Sequence, residues 1–189
     1  MSTTTSSLND VNLSAVAALA THIQLNPEAA QTTWKADVEW TGAFTSKVHV
    51  RNFAPIKSDE PTTLGGTDTA PNPVEQLLGA LGNCLVVGYA ANASAAGIQI
   101  RSLRIALEGN IDLRTFLGLE RANAGYEAIQ VKVKIDTDAS QDKVDALHQK
   151  VVGTSPVGHT LERAVPVTIE LDRSPHERQV VLGKARPLV

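Results

Sequence analysis

The chain has 189 residues, with 17 Lys plus Arg against 20 Asp plus Glu, a net charge of −3, 42% hydrophobic residues and 4% aromatics. That amounts to one domain, or a domain with an arm, and enough apolar content for a core. The acidic balance and scarce aromatics exclude a general basic or base-stacking nucleic-acid surface, and one cysteine excludes an intramolecular disulfide or a thiolate-rich metal site and suits a reducing, cytoplasmic compartment.

Residues 1–9 read as a loose tail, and residues 1–12 hold no Lys or Arg, so no export signal is expected. Leu13, Val16, Ala17, Leu19, Ala20 and Ile23 recur at helical spacing. They predict a short amphipathic helix over 12–24, ending before Asn26-Pro27. Alternation of Trp34, Ala36, Val38 and Trp40, continued by Val48 and Val50, predicts strands over 33–40 and 44–50 with a hairpin at Thr41-Gly42. Residues 53–70 read as a loop rich in Pro, Gly, Thr and Asp.

Asn72-Pro73-Val74-Glu75 is a helix start, with Asn at the cap, Pro at the first helical position and Glu three residues after the cap. The helix runs through Leu77, Leu78, Leu81, Leu85 and Val86 to about Ala96-Gly97. Gly79, Gly82 and Gly88 each cost it ~1 kcal/mol relative to Ala, which predicts close approach by another backbone. Gln76 to Gln99 carries no charge, so length alone would allow a membrane span. Gln76, Asn83, Asn92, Ser94 and Gln99 favour instead a helix buried in protein, and no membrane partner is expected.

Ile98–Asp112 and the run Ile129, Val131, Val133 and Ile135 read as strands, with a short helix or loop over 115–125 between them. Ser140–Val152 reads as a helix capped by Ser140, with Val144, Leu147 and Val151 inward. Ser155-Pro156 opens a further short helix, Val165–Leu171 reads as a last strand, and 173–189 as an arm. The order is α+β rather than a βαβ series. It divides into a tail and short helix (1–32), a main domain (33–172) and the arm.

Cys84 is the one side chain with strong intrinsic nucleophilicity. Buried cysteines usually act as small hydrophobes. At mid-helix the thiol is out of reach of the helix N-terminal dipole, so a reactive Cys84 needs a cation brought by another segment. His22, His49, His148, His159 and His176 are scattered, and neither a metal site nor a cofactor is expected. Ser155 and His159 are four apart, but neither an orienting acid nor an oxyanion hole accompanies them. Gly65-Gly66 lacks the flanking strand and Lys of a phosphate loop.

The string Asp59-Glu60-Pro61, Leu64-Gly65-Gly66-Thr67-Asp68, Pro71-Asn72-Pro73-Val74-Glu75 and Asn83-Cys84 resembles the osmotically induced protein C and organic hydroperoxide resistance (OsmC/Ohr) family. The resemblance covers about residues 33–172. It implies an OsmC-like fold, with antiparallel sheets around a long buried central helix, assembled as an intertwined homodimer with two sites near the subunit interface. In that family a peroxidatic cysteine attacks organic hydroperoxides, an Arg and a Glu hold it, and a second cysteine resolves the sulfenic acid into a disulfide that external dithiols reduce. Cys84 matches the peroxidatic cysteine, Glu75 the family's Glu, and Arg51 the activating Arg.

The departure lies at Ser155-Pro156-Val157, where the family usually has Cys-Pro-Val. A serine hydroxyl cannot condense with a sulfenic acid to a disulfide, so an internal two-cysteine cycle is impossible. Three outcomes remain: a one-cysteine peroxidase resolved by an external thiol, an oxidant sensor that does not turn over, or a binding protein with a structural cysteine. The expected substrate is a small apolar hydroperoxide, suited to Leu81, Leu85, Val86 and Val87. Nine residues at about 100° each put Glu75 on the opposite helix face from Cys84. If the two cooperate, Glu75 should face the partner subunit's thiolate.

Overall fold

The structure, a computed structural model, describes residues 7–172. The first six residues and the arm from 173 lie outside that range, and His176 with them.

Helix α1 spans Leu13–Leu25, one residue beyond the predicted end, and Asn12 caps it by accepting from the Ala15 N–H at 3.1 Å. Val16, Ala17, Leu19 and Ala20 of its apolar stripe stay exposed, Leu13 and Ile23 are half-buried, and no residue of the helix is fully buried. Just before it, Leu8 and Asn9, expected as loose tail, are tied down. Asn9 donates to Ser94 Oγ and to the Ile98 carbonyl and accepts from the Ile100 N–H, while Ser94 donates to the Leu8 carbonyl. Asn9 has φ 54°, a left-handed conformation that Asn tolerates better than most residues.

The predicted hairpin is present as β1 (Asp37–Gly42) and β2 (Thr45–His49), paired antiparallel with Val38 opposite Val48. The first strand starts later than expected, at Asp37 rather than Thr33. The turn falls at Ala43-Phe44, two residues later than expected, with Ala43 at φ 44° and the strand-end Gly42 at φ 115°. A third strand, β3 (Ile56–Ser58), pairs with β2 inside the segment expected to be loop throughout. The sheet order is β1-β2-β3.

Helix α2 occupies Pro73–Ala95 as expected. Strands β4 (Ile100–Gly109) and β5 (Ile129–Thr137) form a second, antiparallel sheet with Ile105 opposite Val133. Between them lies the single-turn helix α3 (Leu113–Phe116). Helices α4 (Gln141–Val152) and α5 (Pro156–Glu162) follow. Ser140 sits at the α4 cap position, but its side chain makes no capping hydrogen bond.

The core is Leu81, Leu85, Tyr89 and Ala93, four residues apart along one face of α2, with Ile98, Leu147 and Val151. Ile100, Leu103, Ile105 and Leu107 of β4 and Ile129, Val133 and Ile135 of β5 pack on that cluster. Alternation selects these strand residues and the i, i+4 spacing selects the helix residues. Helix α2 is long and apolar enough to cross a membrane, but its buried face belongs to this core. The helix glycines divide. A Cβ at Gly82 would meet Leu107, and one at Gly88 would meet Val151, each at 2.9 Å, whereas one at Gly79 meets nothing within 4 Å among the described residues. The close neighbours at Gly82 and Gly88 are thus side chains, not the backbone expected. Replacing Leu147, 5% exposed, with Ala should cost about 3 kcal/mol of stability, read by urea unfolding. A cost below about 1 kcal/mol would place Leu147 outside the core.

A predicted element is also missing within the described residues. Val165–Leu171 does not form a strand: residues 164–172 have no regular secondary structure, and Val167 and Ile169 are 78% and 89% exposed. The alternation is there, but the segment is in neither sheet of this chain. The β1-β2-β3 sheet likewise contributes nothing to the core cluster.

Candidate functional site

The start of α2 is built by local hydrogen bonds. Asn72 Oδ1 accepts from the Glu75 N–H and Glu75 Oε2 accepts from the Asn72 N–H, both at 2.9 Å, so the capping box read from the sequence is complete. Gln76 Nε2 donates to the Lys57 and Pro71 carbonyls and ties the helix to β3.

The loop leading into the helix is organised by one buried carboxylate. Asp59 Oδ1 accepts from the Glu60 N–H (2.8 Å) and the Thr67 N–H (3.3 Å). Its Oδ2 accepts from the Thr67 hydroxyl (2.5 Å), the Thr69 N–H (3.1 Å) and the Thr69 hydroxyl (2.9 Å). The Thr67 hydroxyl, followed by the Thr69 N–H, holds the Asp59 carboxyl well below the usual carboxylate range. At Gly66 a Cβ would fall 1.9 Å from the Glu60 carbonyl oxygen, so only glycine fits there. The Asp59…Gly65-Gly66-Thr67 string is therefore a folded clip that carries the chain from β3 to the α2 cap.

Cys84 lies near the middle of α2, half-buried. Its sulfur is 3.3 Å from the hydroxyl oxygen of Ser155, 71 residues away in sequence. Ser155 is the N-cap of α5, accepts from the Gly158 N–H at 3.1 Å, and is buried. Beside the sulfur is a cavity of about 490 Å³ lined by Asn83, Val87, Asn92, Thr154 and Pro156. On the other side of Ser155 is a second cavity of about 500 Å³, walled by Leu77, Leu81, Leu85, Val133 and Leu161. Tyr89 and His148 also line it. The Tyr89 hydroxyl is hydrogen-bonded to His148 Nδ1, their rings stack at 6.2 Å, and burial pushes the phenol up. No sequence signal pointed to that pair, because its members stand 59 residues apart on α2 and α4.

Arg51 sits just past β2 with φ 50°, its guanidinium 4.6 Å from the centre of the Phe53 ring. Among the described residues, no hydrogen bond or ion pair joins Arg51 or Glu75 to Cys84 within the one chain. The structure thus brings Ser155, but neither Arg51 nor Glu75, into contact with the sulfur.

These elements define an α+β protein in which a long helix presents one cysteine to the capped end of a short helix. Residues 66–170 match the family model described as OsmC-like protein, more than half of the chain, and the chain belongs to that family. It is similar to an OsmC like protein from Mycoplasma pneumoniae, at 19% identity and a TM-score of 0.61, over 70% of this chain and 89% of that one. It is also similar to an organic hydroperoxide resistance protein OsmC from Legionella pneumophila, at 15% identity and a TM-score of 0.52, over 69% and 91%. An organic hydroperoxide resistance protein from Elizabethkingia anophelis matches at 17% identity and a TM-score of 0.51, over 68% and 89%. At these identities the likeness is one of fold. No curated protein matches the sequence.

Proposed function

We propose that this protein defends against oxidative stress in the cytoplasm by reducing organic hydroperoxides through Cys84, as a homodimer that draws electrons from an external thiol. The observation that carries the reading is the half-buried Cys84 sulfur opening on a cavity of about 490 Å³ whose walls include Val87, Ala91 and Pro156. Such a site accepts an apolar peroxide more readily than a strongly hydrated one. The family membership and the names of the solved neighbours support it.

The chemistry closes with one sulfur. The Cys84 thiolate attacks the distal peroxide oxygen, the O–O bond breaks, and the alkoxide takes a proton and leaves as an alcohol. Cys84 becomes a sulfenic acid. An external thiol then displaces water to form a mixed disulfide, and a second thiol releases Cys84 with an external disulfide as product. Because an unperturbed thiol is only a few per cent ionised at pH 7, the reading assigns Arg51 as activating cation and Glu75 as its acidic companion, both brought by the partner copy.

A second copy is supported by what this chain leaves uncovered. Trp34, Trp40 and Phe44 around the first hairpin are exposed, and the alternating segment 165–171 has no pairing strand among the described residues. Unpaired strands and large exposed apolar faces are the usual marks of an interface.

The rival reading is a non-catalytic binder or redox sensor, favoured by Ser155 standing beside Cys84 where a resolving thiol would be needed. One assay separates them. The protein is incubated with cumene hydroperoxide, sulfenic acid is trapped at Cys84 and read by mass, and turnover is measured with a monothiol and a dithiol. Modification with turnover is the expected result. Modification that stalls indicates a sensor, and an unmodified thiol indicates a binding protein.

A further inference from the structure

We infer that Ser155 is a positioning residue for Cys84, its hydroxyl giving its one proton to the reacting sulfur. This deepens the proposed function and rests on Cys84 being the group that reacts.

A serine hydroxyl has one proton to donate and two lone pairs to accept with. At Ser155 the accepting side is in use, since the Gly158 N–H donates to Oγ at 3.1 Å. That contact is held tightly, because a Cβ at Gly158 would come within 3.0 Å of the same oxygen. Pro156, the first residue of α5, has no N–H to compete. The proton left over has one partner among the described residues, the Cys84 sulfur at 3.3 Å. Ser155 is 5% exposed, so the contact is largely shielded from bulk water. A neutral thiol could donate in the opposite direction, but a thiolate has no proton, so in the reactive form the hydroxyl alone can donate. Hydrogen bonds to a charged acceptor are among the stronger ones in proteins.

Helix capping alone would explain the Gly158 bond and nothing more. A positioning role adds three features: the sulfur is held toward its cavity, its charge is favoured, and after oxidation it sits beside a group that cannot condense with it. The sulfenic acid then persists until an outside thiol enters.

The test uses full-length protein and its Ser155→Ala, Ser155→Thr and Ser155→Cys variants. Each is followed by the rate of sulfenic acid trapping with cumene hydroperoxide, by the rate of Cys84 alkylation with iodoacetamide, and by thermal unfolding. Ser155→Ala is expected to slow alkylation and oxidation about tenfold, the size of one hydrogen bond to a charged group, while Ser155→Thr restores both rates. The introduced thiol of Ser155→Cys is expected to condense with the sulfenic acid, losing water, to give a disulfide two hydrogens lighter than the dithiol form. If Ser155→Ala melts lower but alkylates at the parent rate, Ser155 is a helix cap alone and the inference is overturned. It is overturned equally if Ser155→Thr melts like the parent yet stays as slow as Ser155→Ala. If the parent resists peroxide but Ser155→Ala still slows alkylation, the positioning contact stands and the peroxidase reading fails.

Discussion

Replacing Asp59 with Asn is expected to lower the melting temperature by on the order of 10 °C, the scale expected when several buried hydrogen bonds fail together. The carboxylate only accepts, and it is surrounded by three backbone N–H groups and two hydroxyls. An amide would turn an N–H₂ toward some of those donors. The same variant should lose part of the acid sensitivity of the parent. The Asp59 carboxyl is held below its ordinary value in the folded chain, first by the Thr67 hydroxyl and then by the Thr69 N–H. A depressed folded value contributes stability that is complete above the ordinary carboxylate range near pH 4. That contribution is lost progressively as the pH falls below that range toward the folded value. Melting curves at pH 6 and pH 3 check it: the gap between parent and Asp59→Asn should narrow at pH 3. A gap that is unchanged or wider at pH 3 would show that the ionised carboxylate does not hold the loop.

That loop also shows how far the sequence could be read. Its string was recognisable as a family resemblance, yet the reason for it is visible only once Asp59 closes on Thr67 and Thr69 and Gly66 slides past the Glu60 carbonyl. Local chemistry was legible. The α2 start, with Asn72, Pro73 and Glu75 in fixed spacing, is found as a complete capping box, and Ser155-Pro156 opens α5 as written. Periodicity was legible where the chain itself supplies the surface to pack on, as for Leu103, Ile105 and Leu107 against the core. Where it does not, periodicity was an uneven guide: α1 and β1 form without burying a residue, but the segment 165–171 forms no strand. Val165, Val167, Ile169 and Leu171 alternate, but alternation says which way side chains face, not whether a neighbouring strand exists. Strand β3 was missed for the converse reason: three residues, Ile56-Lys57-Ser58, are too few to show a period. Asn9 was missed because it is held by polar contacts to Ser94, Ile98 and Ile100, some 90 residues on. At the site, the resemblance selected Cys84 and the position of Ser155. Their 3.3 Å contact spans 71 residues and is a property of how α4 and α5 return to α2.

Mixing Glu75→Gln chains with Cys84→Ser chains is expected to restore peroxide turnover well above that of either variant alone. Gln keeps the accepting oxygen a capping box requires, so the helix start survives while the charge is lost. The loss in turnover should be about 100-fold, typical for removing one electrostatic or proton-handling group. Cys84→Ser removes the nucleophile. Along α2, nine residues separate Glu75 from Cys84, about 13 Å of rise and half a turn out of phase. Within one chain Glu75 is engaged with Asn72 and Cys84 with Ser155. A straight helix does not turn both onto one peroxide. If each site takes its cysteine from one copy and its Glu from the other, a mixed dimer assembles one intact site and one doubly deficient site. Random pairing makes half the dimers mixed, so co-refolded chains should reach roughly a quarter of the parent turnover. If instead Glu75 serves the cysteine of its own chain, no mixed dimer contains an intact site, and turnover stays at the level of the Glu75→Gln chains however the subunits are exchanged. A mass-resolved count of mixed dimers alongside the assay confirms that exchange took place. Recovery would then place the Glu75 carboxylate across the interface, its absence would assign Glu75 to the cysteine of its own chain, and a Glu75→Gln protein as active as the original would confine Glu75 to capping the helix.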